Sequence, residues 1–160
     1  MTTETTASTA STPLFDGTEL DFWLGDWDAR WGDAGRGTNR LTRILNDKVI
    51  REDCSGGGPN GHLVGLSLSV FDAERGAWRQ TWVDDGGGYL ELVGDAVDGC
   101  FSFRRDAPED GPTTQQRMVF RDVRPESFRW TWELSEDGGA TWVIRWDIAY
   151  TRRSEDCGAA

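Results

Sequence analysis

The sequence predicts an all-β fold: a single antiparallel up-and-down β-barrel of about ten strands with a short N-terminal helix. Three observations predict it. Short runs of alternating polarity recur from Asp26 to Thr151, at intervals of roughly ten residues. Glycine- and aspartate-rich turns separate them, among them Asp98-Gly99, a strong two-residue hairpin signal. Helical periodicity is confined to one short segment, which leaves no crossover helices for a parallel sheet.

That segment runs from Gly17 to Leu24, with Asp16 or Thr18 as cap and Phe15, Leu20, Phe22 and Trp23 as apolar contacts. The strands then follow in order: Asp26–Trp31, Asn39–Leu45, Val49–Cys54 and Leu63–Phe71. Next come Trp78–Val83, Tyr89–Gly94, Cys100–Arg104, Gln115–Asp122, Phe128–Leu134 and Thr141–Thr151. Asn46-Asp47 reads as a tight turn, and Ser55–Gly61 (SGGGPNG) as a mobile rim loop. A meander of this length tends to close, because closure removes exposed edges. A β-sandwich is the alternative that the same strand count allows.

Alternation assigns faces. Phe128, Trp130, Trp132 and Leu134 point in, with Arg129, Thr131 and Glu133 out. On the last strand Trp142, Ile144, Trp146, Ile148 and Tyr150 point in, with Arg145 and Asp147 out. Trp78, Gln80, Trp82 and Asp84 share a face, as do Ile50, Glu52 and Cys54, and Trp27, Ala29 and Trp31. Nine tryptophans are present. A core built for stability alone relies more on Leu, Ile and Val, which have no N–H to satisfy. Indoles near inward polar groups are the composition of a ligand pocket wall.

Residues 1–15 read as a disordered Thr/Ser-rich leader, 16–153 as the barrel domain and 154–160 as a disordered tail. The opening residues carry no basic n-region or apolar h-region, so no signal peptide is expected. The net charge is −11, with one lysine and sixteen arginines. Duplex nucleic acid and anionic membranes both need a basic patch, so neither is expected as a partner. Cys54, Cys100 and Cys157 match no zinc spacing and read as reduced thiols of a cytoplasmic protein, with Cys157 exposed. His62 is the single histidine, beside a glycine-rich loop, and no metal site is expected.

Two stretches carry a family resemblance: Leu20-Asp21-Phe22-Trp23-Leu24-Gly25-Asp26-Trp27-Asp28, and Val70-Phe71-Asp72 through Trp78-Arg79-Gln80-Thr81-Trp82-Val83-Asp84. Together they resemble a bacterial calycin-like family of unknown function, in the wider group of lipocalins, fatty-acid-binding proteins and nitrobindins. The resemblance spans roughly residues 18–153. It implies a barrel closed at one end by the N-terminal helix. It also implies that Trp27, of the Gly25-x-Trp27 element, packs near an arginine after the last strand, Arg152 or Arg153. Nitrobindins hold haem through a late-strand histidine; none follows His62 here, so no cofactor is expected, although Tyr150 could ligate haem in principle. Ser135–Trp142 (SEDGGATW) resembles the Asp-box of sialidases. A propeller repeats such boxes, and this one occurs once. It is read as a turn ordered by Asp137, without sialidase activity.

The expected function is binding of a small hydrophobic or aromatic molecule by Trp27, Gln80, Trp82, Trp130, Trp132 and Trp146. The alternative is a cofactor-independent cyclase, isomerase or dehydratase acting on a polyketide- or terpenoid-like metabolite. In that reading Glu52, its pKa raised by burial, is the general acid or base, with Asp84 and Tyr150 completing a proton relay. Against catalysis stands the pairing of Glu52 with an arginine such as Arg43 or Arg79. Homodimerisation is left open.

Overall fold

Alternation and turn chemistry produce all ten strands. The computed structural model describes residues 15–154. The expected leader before Phe15, the tail beyond Ser154 and Cys157 lie outside the described residues. The strands are β1 (Gly25–Trp31), β2 (Gly35–Ile44), β3 (Val49–Gly58), β4 (Gly61–Asp72), β5 (Ala77–Asp84), β6 (Tyr89–Val97), β7 (Cys100–Asp106), β8 (Gln115–Arg124), β9 (Ser127–Ser135) and β10 (Val143–Arg152). Each pairs with its sequence neighbours, and β10 returns to β1, so the sheet is a closed antiparallel barrel rather than a sandwich. Among the described residues no helix is long and apolar enough to cross a membrane.

The expected helix is reduced to one 3-10 turn, Asp21–Trp23, without a side-chain cap. Asp16 instead orders the approach, accepting from the Thr18 N–H at 2.9 Å and the Thr18 hydroxyl at 2.6 Å. This segment plugs one end of the barrel. Phe22 meets Phe120 and Phe128 edge-on, each at 5.6 Å, and Trp23 meets Phe120 at 5.2 Å. From β5, the Trp78 Nε1 donates to Glu19 Oε2 at 2.8 Å and ties the segment to the wall.

Trp27 is fully buried in this plug. Its indole N–H donates to the Trp23 carbonyl at 2.8 Å, and the Arg152 guanidinium lies 4.2 Å above its ring. Arg152, and not Arg153, therefore fills the arginine place. Its fork donates to the carbonyls of Leu24 (2.8 Å), Phe22 (3.1 Å) and Pro125 (2.9 Å). Arg153 instead pairs with exposed Asp28 at 2.7 Å. Gly25 sits at φ +116°, and a Cβ there would lie 2.6 Å from an Arg152 nitrogen, so glycine is required.

Three local expectations are corrected. The Ser55–Gly61 run is not a loop, because Ser55–Gly58 belongs to β3 and pairs through Gly58↔Gly61. The reason lies across the barrel wall. The Trp31 indole covers Gly35 and Gly56, and side chains there would overlap it. Second, the turn after β2 is longer than Asn46-Asp47, since Leu45 also adopts positive φ, 51°, and is exposed. Third, a bulge between Ile144 and Trp146 resets the alternation of β10. Ile144 thus pairs with outward Glu133 and is exposed, and Trp142 packs outside, under Arg117 at 3.9 Å.

The Ser135–Trp142 turn is ordered by Asp137, whose carboxylate accepts from Ser135 Oγ (2.8 Å), Thr141 N (2.8 Å) and Thr141 Oγ1 (2.6 Å). These bonds hold its pKa down to about 2. Arg129, Thr131 and Glu133 face outward as expected, yet Thr131 and Glu133 are buried. Arg117 and Arg121 fold over Glu133, each at 2.7 Å, and Thr131 Oγ1 donates to it at 2.7 Å. Burial alone would raise the Glu133 pKa; the bonds from Arg121, Thr131 and Arg117 outweigh it and hold the group below its ordinary value.

Replacing Arg152 by Lys removes the planar fork and the stack on Trp27, and should cost about 2–4 kcal/mol in urea unfolding. Arg153→Ala, which removes only an exposed pair, should stay within about 0.5 kcal/mol. Equal losses in the two variants would refute the assigned role.

Candidate functional site

The plug occupies one half of the barrel interior, and a cavity of about 240 Å³ occupies the other. One strand can serve both. β9 sends Phe128 into the plug and Trp130 and Trp132 to the cavity, and β10 sends Ile148 and Trp146. Trp130 and Trp132 lie nearly parallel, 12° apart, with centroids at 6.3 Å. Trp146 stands at 86° to Trp130 at 5.9 Å, and Trp31 backs it at 5.4 Å. Trp82 forms the facing wall, its ring laid over Gly65 of β4, where a Cβ would overlap it. Leu63, Leu90 and Met118 complete the apolar lining.

The polar side of the cavity comes from β3, β5 and β10. Glu52 is 8% exposed. It accepts from Asn39 Nδ2 at 2.7 Å and from Ser67 Oγ at 2.6 Å. The expected arginine partner is absent: Arg43 bonds to Asp21 and to the Asp47 carbonyl, and Arg79 is not among the partners of Glu52. Burial therefore pushes the Glu52 pKa up, and the Ser67 and Asn39 bonds offset this only in part. Neighbouring Cys54 is a free thiol pushed up to about 12 by burial and by Glu52. Tyr150 stacks on Phe128 at 4.6 Å, and its phenol is raised well above its ordinary value, first by burial and then by Cys54 and Glu52.

Asp84 behaves differently. It accepts from Trp82 Nε1 at 3.0 Å and from the backbone N–H groups of Gly86 and Gly88, both at 2.9 Å. The Trp82 bond and then the Gly88 bond hold its pKa below the ordinary value, so it remains ionised at neutral pH. No direct hydrogen bond joins Asp84 to Tyr150 among the described residues, although both line the same cavity.

The structure thus brings Glu52, Asp84, Tyr150, Trp82, Trp130, Trp132 and Trp146 to one cavity. Two expected residues lie elsewhere. Trp27 is in the plug, and Gln80 is buried with its Nε2 donating to Ser69 Oγ at 3.0 Å. Sequence reasoning missed Asn39 and Ser67. On β4 the polarity rule is inverted: Ser67 and Ser69 are fully buried, whereas Leu68 and Val70 are 38% and 40% exposed. The signal was the pairing of this strand with tryptophan-bearing β5, because indoles at Ser67↔Trp82 need small neighbours. His62 is exposed at the start of β4, 3.2 Å from Ser55 Oγ, and among the described residues no cluster of potential ligands could hold a metal ion.

The raised pKa of Glu52 has a stability consequence. The folded state favours the protonated acid. Stability is therefore full below the ordinary value of 4.5 and falls as pH rises through the higher folded value. Glu52→Gln removes this slope, so the variant should gain on the wild type in urea unfolding as pH goes from 4 toward 8. A pH-independent difference would show that Glu52 is not desolvated.

No family model and no curated protein matches the chain. Among solved structures, an S-type phycobiliprotein lyase from Guillardia theta is similar, with a TM-score of 0.54 and 10% identity, covering 84% of this chain and 90% of that one. At that identity the likeness is one of fold alone, and the fold here is a closed antiparallel β-barrel.

Proposed function

We propose that the barrel binds a small apolar or aromatic organic molecule between Trp82, Trp130, Trp132 and Trp146. The carrying observation is the space itself. Protein interiors pack to a density of about 0.75 with few voids larger than a water. Here Trp82, Trp130, Trp132 and Trp146 line a partly open cavity of about 240 Å³ within the barrel. Glycine at 65 gives Trp82 its place against the wall, which keeps that ring out of the centre. The volume lies below the roughly 300–1,000 Å³ common for drug-sized ligands, so the reading is of a smaller molecule. The fold likeness to a phycobiliprotein lyase is consistent with small-molecule handling.

A second reading, cofactor-independent acid–base catalysis, is favoured by Glu52 alone: a buried carboxyl facing the cavity, without a cationic partner and with a raised pKa. In that reading Glu52 donates a proton and Tyr150 orients the substrate. Glu52→Gln separates the two, since a binder keeps its ligand while an enzyme binds without turnover.

Native mass spectrometry of protein purified from its own host should reveal a retained small molecule. Trp132→Leu should weaken binding of an aromatic ligand about tenfold, as followed by tryptophan fluorescence. An empty protein whose fluorescence ignores a panel of apolar compounds would remove the reading.

A further inference from the structure

We infer that the occupant of this cavity is a small organic cation, an ammonium or cationic heterocycle on an apolar body, held among four indole rings with carboxyl groups beside it. The inference rests on the binding reading above and names its ligand class. The first observation is the charge of the lining. It contains two carboxyl groups, Glu52 and Asp84, and no lysine, arginine or histidine. This is notable in a chain with sixteen arginines, which this wall excludes entirely. Asp84 is the ionised one, and an anionic ligand would meet its like charge with no cation in the lining to offset it.

The second observation is geometric. The faces of Trp130 and Trp132 run parallel, and Trp146 stands at a right angle to them. With Trp82 on the facing side, indoles surround the space from several directions. Each ring carries negative potential on its face, and tryptophan is the strongest of the aromatic partners for a cation. Trp82 is enhanced further, because its N–H donates to the ionised Asp84 at 3.0 Å and so draws negative charge toward the ring. That carboxylate is fixed in place by two backbone N–H groups of its own turn. A neutral apolar ligand would use the rings as hydrocarbon only and make no use of the potential on their faces.

The decisive comparison uses two compounds of the same shape: phenyltrimethylammonium and tert-butylbenzene, with benzoate as the anionic control. Binding to the full chain is read by tryptophan fluorescence and by calorimetry. Phenyltrimethylammonium should bind at least about tenfold more tightly than tert-butylbenzene, and benzoate should not bind. Asp84→Asn keeps an oxygen for the Gly86 and Gly88 bonds, and should cut the cation-to-neutral ratio several-fold. If tert-butylbenzene binds as well as the cation, the cation assignment is overturned while the apolar pocket stands. Tight benzoate binding overturns it as well. If none of the three binds, both this inference and the binding reading fall. An unchanged ratio in Asp84→Asn, with the variant folded by circular dichroism, also contradicts the assignment.

Discussion

The fold turns on one planar contact, the Arg152 guanidinium laid over the Trp27 ring where β10 meets β1. It ties the N-terminal plug to the seam at which the barrel closes. Among the described residues no carboxylate pairs with Arg152, and what the site needs is a flat donor with several N–H groups. Three carbonyls, from Phe22, Leu24 and Pro125, point at this one side chain. The N-terminal turn, the first strand and the turn before β9 are thereby joined at a single point. Trp27 in turn holds the Trp23 carbonyl, so Phe22 and Trp23 fill one end of the barrel. The unfilled volume is displaced to the other end.

Two buried glutamates show how the same side chain serves opposite ends. Glu133, on the outer wall, is wrapped by Arg117 and Arg121 and stays charged. It stitches β8 to β9. Glu52, on the inner wall, is bonded among the described residues by Asn39 and Ser67 alone, and burial pushes its pKa up. A carboxyl left without a cation in a protein that has arginines to spare is a costly arrangement for stability. That contrast separates an acid that ties two strands together from one that lines the cavity.

Much of this was legible in the sequence. Alternation located every strand, and Asp98-Gly99 did form a tight turn with both residues at positive φ. The aromatic wall of Trp130, Trp132 and Trp146 was readable because polar residues alternate with it. The rest was hidden for physical reasons. A bulge at Arg145 adds one residue, and no local pattern announces it, so Trp142 and Ile144 were assigned to the wrong side. On β4 the inward positions are small and polar, the reverse of ordinary patterning, because the neighbouring strand supplies bulk. The partners of Glu52 come from two flanking strands, and only register could identify them. The choice between Arg152 and Arg153 likewise needed the side-chain geometry.

The glycines beneath the indoles carry a consequence for how such a protein changes over time. Gly65 supports Trp82, and Gly35 and Gly56 support Trp31. None of the three contributes a side chain to the cavity, yet Gly65 sets the seat of Trp82, which lines it, and Gly35 and Gly56 set that of Trp31, which backs the lining Trp146. A methyl added at Gly65 would overlap the Trp82 ring and force it to shift, reshaping the interior while every lining residue stayed the same. The space is tuned from behind its own wall, and drift at these silent positions would alter what fits without altering the chemistry that meets it.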